Sequence, residues 1–271
     1  MTTATKPLLD GLVRLERRDH GVLVMTLNDP ETRNSLSDRM MDALLHAKEA
    51  IEALADVRVV ILTGAGADFS AGGNVDDMTR RSGVFASEEP FKARDANLRS
   101  VHKIPQAIYG LGAPTIAAVN GHAIGGGCDV ALMCDIRIAS ERAVFGESFL
   151  RVGLLPGDGG AWFLPRAVGL SRAMEMVLTA DFVDAAAAER IGLVSRAVPH
   201  DVLMDEALRL AFRIARHPPT VARMSKTLVR FGAESSLADT LEMTANMQAQ
   251  AQTSDEHRAA VRRLVEVMKR S

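Results

Sequence analysis

Two glycine-rich loops, each placed directly after a short apolar run, constrain this chain more than any other feature. Val59-Val60-Ile61-Leu62-Thr63 leads into Gly64-Ala65-Gly66-Ala67-Asp68-Phe69-Ser70-Ala71-Gly72-Gly73-Asn74. Thr115-Ile116-Ala117-Ala118-Val119 leads into Asn120-Gly121-His122-Ala123-Ile124-Gly125-Gly126-Gly127. Short continuous apolar runs read as strands buried on both faces, the pattern of parallel sheet. Strand, loop and helix repeat in that order, which predicts βα units. Loops of this kind collect at the carboxyl ends of parallel strands, where ligands bind. Glycine lets backbone approach a ligand closely, and successive bare N–H groups make a nest for an anion. Two such loops side by side can aim one N–H each at a single oxygen, the geometry of an oxyanion hole. On pattern alone, the same glycines can equally serve only to make tight turns.

The rest of the chain fits around these loops. Residues 12–16 and 22–27 alternate about an Asp19-His20-Gly21 turn and predict a hairpin. From Ser37, a candidate N-cap, Met40, Met41, Leu44, Leu45, Ile51 and Leu54 keep helical spacing. Residues 129–133 read as helix and 136–139 as a further strand. The polar stretch 79–103 reads as a mobile segment followed by a helix. Beyond residue 159 the pattern turns helical, and Thr253-x-x-Glu256 suggests a capping box for the last helix. The division expected is an α/β core over 1–195 and a helical region over 196–271.

Composition excludes several functions. A net charge of −2 gives no strong positive field for nucleic acid, and 4% aromatic residues leave few base-stacking platforms. Cys128 and Cys134 read as small core residues in a reducing compartment, and no histidine has metal-ligand spacing. The first twenty residues lack the apolar segment of a signal peptide. No run of 18 apolar residues suggests a membrane span, so a cytoplasmic protein with no metal is expected. The glycine spacing is not the G-x-G-x-x-G of dinucleotide binding. The single tyrosine, Tyr109, has Ala113 where a short-chain reductase needs lysine. The G-x-S-x-G elbow of serine hydrolases is absent.

The ordered blocks 27–36, 69–74, 117–129, 134–139, 152–160 and 192–195 together resemble the crotonase superfamily of enoyl-CoA hydratases and isomerases. The most specific are Asn120-Gly121-x-Ala123-x-Gly125-Gly126-Gly127 and Ala71-Gly72-Gly73. The resemblance implies an α/β spiral of ββα units and a C-terminal helical trimerisation region, often assembling homotrimers into hexamers. It implies an acyl-CoA thioester as substrate, with coenzyme A part of the substrate and no separate cofactor. Carried over residue by residue, the two oxyanion donors are the N–H groups of Gly73 and Gly126. Ser70, Ala71, Asn74 and Val75 fall along the CoA path, and Arg33 near the CoA phosphates. The first acid/base position is Asp129, one methylene shorter than the glutamate of hydratases. Phe149 stands where those enzymes carry their second glutamate, which places isomerisation beside hydration, with a non-catalytic acyl-CoA-binding member of the family as the rival reading. Asp158, in Pro156-Gly157-Asp158-Gly159-Gly160, occupies a loop that supplies a catalytic aspartate in several isomerases; its alternative is a helix cap. Glu147 takes a position that is usually polar and uncharged, facing either the pocket or a subunit contact. His122 and Trp162 read as structural. Lys269 and Arg270 stand near the end, where relatives use a basic residue toward a neighbouring subunit's CoA.

Overall fold

The computed structural model describes residues 7–269, and the candidate Arg270 lies outside the described residues. In chain order the strands are β1 (Val13–Arg17), β2 (Val22–Leu27), β3 (Val59–Gly64), β4 (Thr115–Val119), β5 (His122–Ile124), β6 (Ile136–Ser140), β7 (Val144–Gly146), β8 (Val183–Asp184) and β9 (Arg196–Val198). They form a six-stranded sheet, β1-β2-β3-β4-β6-β9, and a three-stranded sheet, β5-β7-β8. The β1–β2 pair is the expected antiparallel hairpin, and β2, β3, β4, β6 and β9 run parallel. Successive turns of chain place one strand in the large sheet and the next in the small one: β4 then β5, β6 then β7. Ser70, after β3, bridges to Ala123 of β5 in the same way. This is the ββα spiral that the sequence led one to expect.

Both faces of the large sheet are covered, which explains the apolar runs. Leu23, Met25, Val60 and Leu62 face one core, while Val22, Val24, Val59 and Ile61 face another. The first core is closed by α1 (Asp38–Glu52), which Ser37 caps by accepting from the Met40 N–H. The glycine loops lead into α2 (Val75–Arg80), α3 (Pro90–Arg99), α4 (Lys103–Tyr109) and α5 (Gly126–Leu132). The last of these starts at Gly126, three residues before the start expected from apolar spacing. Then come α6 (Gly160–Val168), α7 (Leu170–Thr179) and α8 (Ala185–Arg190). The C-terminal part holds α9 (Leu203–Ala215), α10 (Pro219–Gly232), α11 (Leu237–Thr253) and α12 (Asp255–Met268).

Packed structure continues across residue 195. β9 is the edge strand beside β6, and α9 lays Leu203, Ala207, Ala211 and Ala215 onto the second face of the sheet. The capping box at Thr253 does not form. The Thr253 hydroxyl donates back to the Ala249 carbonyl, Ser254 caps α12 through the His257 N–H, and Glu256 accepts from the Thr220 N–H and hydroxyl. Among the described residues, no helix is long and apolar enough to cross a membrane.

A charge cluster ties α10 to the sheet. Asp135 meets Lys226 Nζ at 2.8 Å and an Arg230 nitrogen at 2.6 Å, and it also accepts from the Thr115 N–H and hydroxyl. Only 8% of the Lys226 side chain is exposed. Removing one partner from such a cluster strands the opposite charge away from water. Asp135→Ala is therefore expected to cost about 3 kcal/mol, read as a lower midpoint in urea unfolding.

Candidate active site

The loop after β3 and the loop after β4 are held together by backbone. Phe69 and Ser70 N–H groups both donate to the His122 carbonyl, at 3.0 and 2.9 Å, and the Ile124 N–H donates to the Ser70 carbonyl at 3.0 Å. Two asparagines lock the pair. Asn34 donates to the Ala65 and Asp68 carbonyls, and Asn120 accepts from the Gly64 N–H while donating to the Gly66 carbonyl. Gly72 sits at the tightest point. Its φ is +78°, and a β-carbon there would lie 2.2 Å from the Ile124 carbonyl oxygen and 3.0 Å from the Gly126 nitrogen. Only glycine lets the loops approach this closely.

The approach leaves Gly73 and Gly126 in the wall of one cavity of about 1260 Å³. Gly126 is the first residue of α5, where a helix leaves its N–H groups unpaired. Among the described residues, neither the Gly73 nor the Gly126 N–H takes part in a backbone hydrogen bond. The facing wall carries Val84, Leu98 and Val101 from the segment 79–103 that covers the cavity, and Met78 from just before it. That cover is α2, a 3₁₀ turn over 83–85, α3 and the approach to α4.

Asp158 is the one carboxylate in the cavity wall among the described residues. One of its oxygens lies 2.2 Å from where a β-carbon on Gly126 would stand, so the carboxyl is beside the middle glycine. Burial pushes its pKa up to about 6, against a lowering pull from His102, which also lines the cavity. It caps nothing: α6 begins after Gly159, with no side-chain cap. Phe149 is also in the wall, so the position of the second glutamate is filled by an apolar ring.

Asp129 is placed differently from the expectation. It is fully buried, is not among the residues of the cavity wall, and feels the charge of Asp158, which is. Glu147, also fully buried, meets it. A β-carbon on Gly160 would lie 2.3 Å from Asp129 Oδ1 and 2.9 Å from Glu147 Oε2, so both carboxyls converge on the space this glycine leaves open. None of their four oxygens has a hydrogen-bond donor in the chain at bonding geometry. Burial first, then the charges of Glu147 and Asp158, push Asp129 well above the carboxylate range, with the nearby Gly160 N–H pulling weakly the other way. Burial likewise pushes Glu147 up to about 7.

The remaining site candidates divide. Ala71 and Val75 line the cavity. Ser70, expected on the CoA path, is fully buried: its hydroxyl donates to the Asn34 carbonyl and accepts from the Gly72 N–H. Asn74 is the N-cap of α2, accepting from the Asp76 and Asp77 N–H groups. Arg33 holds Asp68 with two hydrogen bonds, at 2.7 and 3.1 Å, and keeps just over half its side chain exposed. Asp68 also meets His122 Nδ1 at 2.7 Å, which gives His122 the structural part expected of it. Trp162 packs edge-on against Tyr109 and Phe163. No cluster among the described residues fits a metal ion. Sequence reasoning missed the pairing of Glu147 with Asp129 and the presence of His102 in the cavity. The signal for the first was the charge at 147 in a stretch otherwise bound for the interior.

Comparisons with known proteins bear on the family and the fold. The family model described as enoyl-CoA hydratase/isomerase matches residues 17–271. A protein of Mycobacterium tuberculosis named probable enoyl-CoA hydratase echA8 is 39% identical over 227 residues, 84% of each chain. The 2,3-dehydroadipyl-CoA hydratase of Escherichia coli is 35% identical, covering 81% of this chain and 82% of its own. The crystal structure of an enoyl-CoA hydratase from Bacillus anthracis superimposes with a TM-score of 0.87 at 30% identity, covering 94% of this chain and 96% of that one. With a family model matched from residue 17 onward and the crotonase fold shared nearly end to end, the chain belongs to the enoyl-CoA hydratase/isomerase family.

Proposed function

We propose that this enzyme moves a double bond within an enoyl-CoA thioester and adds no water across it. The observation that carries this reading is the single carboxylate in the cavity wall, Asp158, beside Gly126 and in the company of an apolar Phe149. Hydration needs one group to hold water and another to protonate carbon. Moving a double bond needs only one group that takes a proton and gives it back.

In this reading the thioester oxygen accepts from the Gly73 and Gly126 N–H groups. Asp158, ionised at neutral pH with its pKa of about 6, removes a proton from C2 of a 3-enoyl thioester. The electron pair moves toward the carbonyl and gives a dienolate. The oxygen gains charge, and the two N–H groups bind it more strongly than they bind the starting carbonyl, which is the condition for catalysis. Asp158 then returns the proton to C4, leaving the double bond between C2 and C3. A carboxyl whose pKa lies near the working pH suits both halves of this transfer. Ala71 and Val75 line the CoA path, and Arg33, oriented by Asp68, supplies positive charge for the CoA phosphates. Coenzyme A enters and leaves with the substrate, and no further cofactor takes part. The exposed Leu264, Val265 and Met268 of α12 fit packing between copies in a homotrimer or a hexamer. Unpaired, buried Cys128 and Cys134 fit a reducing cytoplasm.

The test is turnover of crotonyl-CoA, a 3-enoyl-CoA and a 2,4-dienoyl-CoA in heavy-oxygen water and in deuterium oxide, followed by mass spectrometry. The expected result is migration of the double bond in the 3-enoyl thioester, with deuterium exchange and no heavy oxygen. Heavy oxygen in the product of crotonyl-CoA would overturn the reading in favour of hydration.

A further inference from the structure

Glu147 and Asp129 present an electrostatic problem that the proposed reaction leaves unused. Two carboxyls converge on the same space beside Gly160, fully buried, with no hydrogen bond from the chain to any of their oxygens. Buried carboxylate oxygens without donors are costly, and two like charges at this distance cannot both persist. The donor that can satisfy them is a proton on one of the two. A protonated carboxyl donates a single strong O–H bond to its ionised neighbour.

We infer that Glu147 is a positioning residue, sharing one proton with Asp129 behind the cavity wall and so holding that pair at a single negative charge next to Asp158. This rests on Asp158 being the group that moves the substrate proton. The groups facing the pair are few. Cys128 on α5 turns its thiol toward Glu147 as a weak donor, and burial pushes that thiol up, so it stays neutral. The Gly160 N–H faces Asp129 from the start of α6. Asp158 stands toward the cavity, with His102 beyond it on the approach to α4. If the pair lost its proton, a second negative charge would appear behind Asp158 and near the thioester oxygen. That charge opposes the developing enolate, so turnover should fall as pH rises through the ionisation of the pair. Asp129, pushed well above the carboxylate range by burial and by Glu147, keeps that last proton, so the fall lies on the alkaline side of the value of about 7 at which Glu147 ionises.

Two readouts test this. In Glu147→Gln the amide still donates to Asp129 but cannot ionise, so the alkaline limb of the kcat profile should disappear. Glu147→Ala removes the hydrogen bond as well, and kcat should fall while KM holds, because the cavity wall is untouched. An alkaline limb unchanged in Glu147→Gln would overturn the inference. The second readout needs no substrate. Infrared spectra on an Asp158→Asn background, which removes the signal of that carboxyl, should show the carbonyl band of a buried protonated carboxylic acid near neutral pH. The band should vanish with a single midpoint on alkalinisation and be absent when Glu147→Gln is added. No such band, or a band unaffected by Glu147→Gln, would equally overturn it. Should none of the enoyl thioesters react, the infrared result still decides whether the proton is shared. Failure of the reaction and failure of the pairing are thereby separated.

Discussion

Asp158→Asn is expected to lower kcat on the order of a thousandfold, the usual contribution of a well-placed acid–base group, while the protein stays folded. Asparagine keeps the shape of the side chain beside Gly126 but cannot carry the substrate proton. The sign of the stability effect strengthens the test. The carboxyl of Asp158 titrates in the folded protein at about 6, above its ordinary value of 3.8. A group raised in this way contributes stability that is lost as pH rises through the folded value. At neutral pH the wild-type protein therefore carries the cost of a charged, largely buried carboxylate, and the variant does not. Thermal melts just above neutral pH should show Asp158→Asn at least as stable as wild type, with the gap closing in acid. A variant that keeps its activity would remove Asp158 from the chemistry.

Gly72→Ala is the second large effect. Its added methyl would stand 2.2 Å from the Ile124 carbonyl and against the Gly126 nitrogen, so the two glycine loops must separate. If the Gly73 and Gly126 N–H groups hold the thioester oxygen as proposed, they then lose their common target, and activity should fall on the order of 10²–10³-fold, the effect typical of losing one oxyanion donor. Alanine at positive φ adds a cost of its own, on the order of 1 kcal/mol. Gly169→Ala separates the two contributions. Gly169 has nearly the same φ, +79°, but no atom within 4 Å of a β-carbon. It should show the stability loss in denaturant without the loss of turnover.

Much of this arrangement was legible in the sequence because the large sheet obeys simple periodicity. The runs at 59–63 and 115–119 are apolar nearly throughout, since alternate residues enter different cores on the two faces. Ser37 read correctly as a cap because its side chain serves the helix it precedes. The misses have one cause: the deciding partner lies far away in the chain. Thr253 and Ser254 are both good caps in isolation, and Glu256 is drawn off to Thr220, 36 residues earlier. Ser70 looked available to a ligand because nothing local reveals that Asn34 and Gly72 consume its hydroxyl. Asp129 and Glu147 are well separated along the chain, and only the spiral brings their carboxyls over Gly160. The short helices over 75–99 left only a faint signal, a helix at the end of a polar stretch, because they bury no side chain completely and so show no apolar stripe.

Those short helices have a consequence for how such an enzyme diversifies. The glycine wall is interlocked by sheet pairing and by Asn34 and Asn120, whereas the facing wall of α2 and α3 has no strand of its own. One side of the cavity is framework and the other is upholstery. Exchanging residues 75–99 with those of a family member that handles a different acyl chain should transplant preference for that chain and leave the reactive centre as it stands. A lineage can in this way explore new substrates by drift in one segment, with little risk to the machinery opposite.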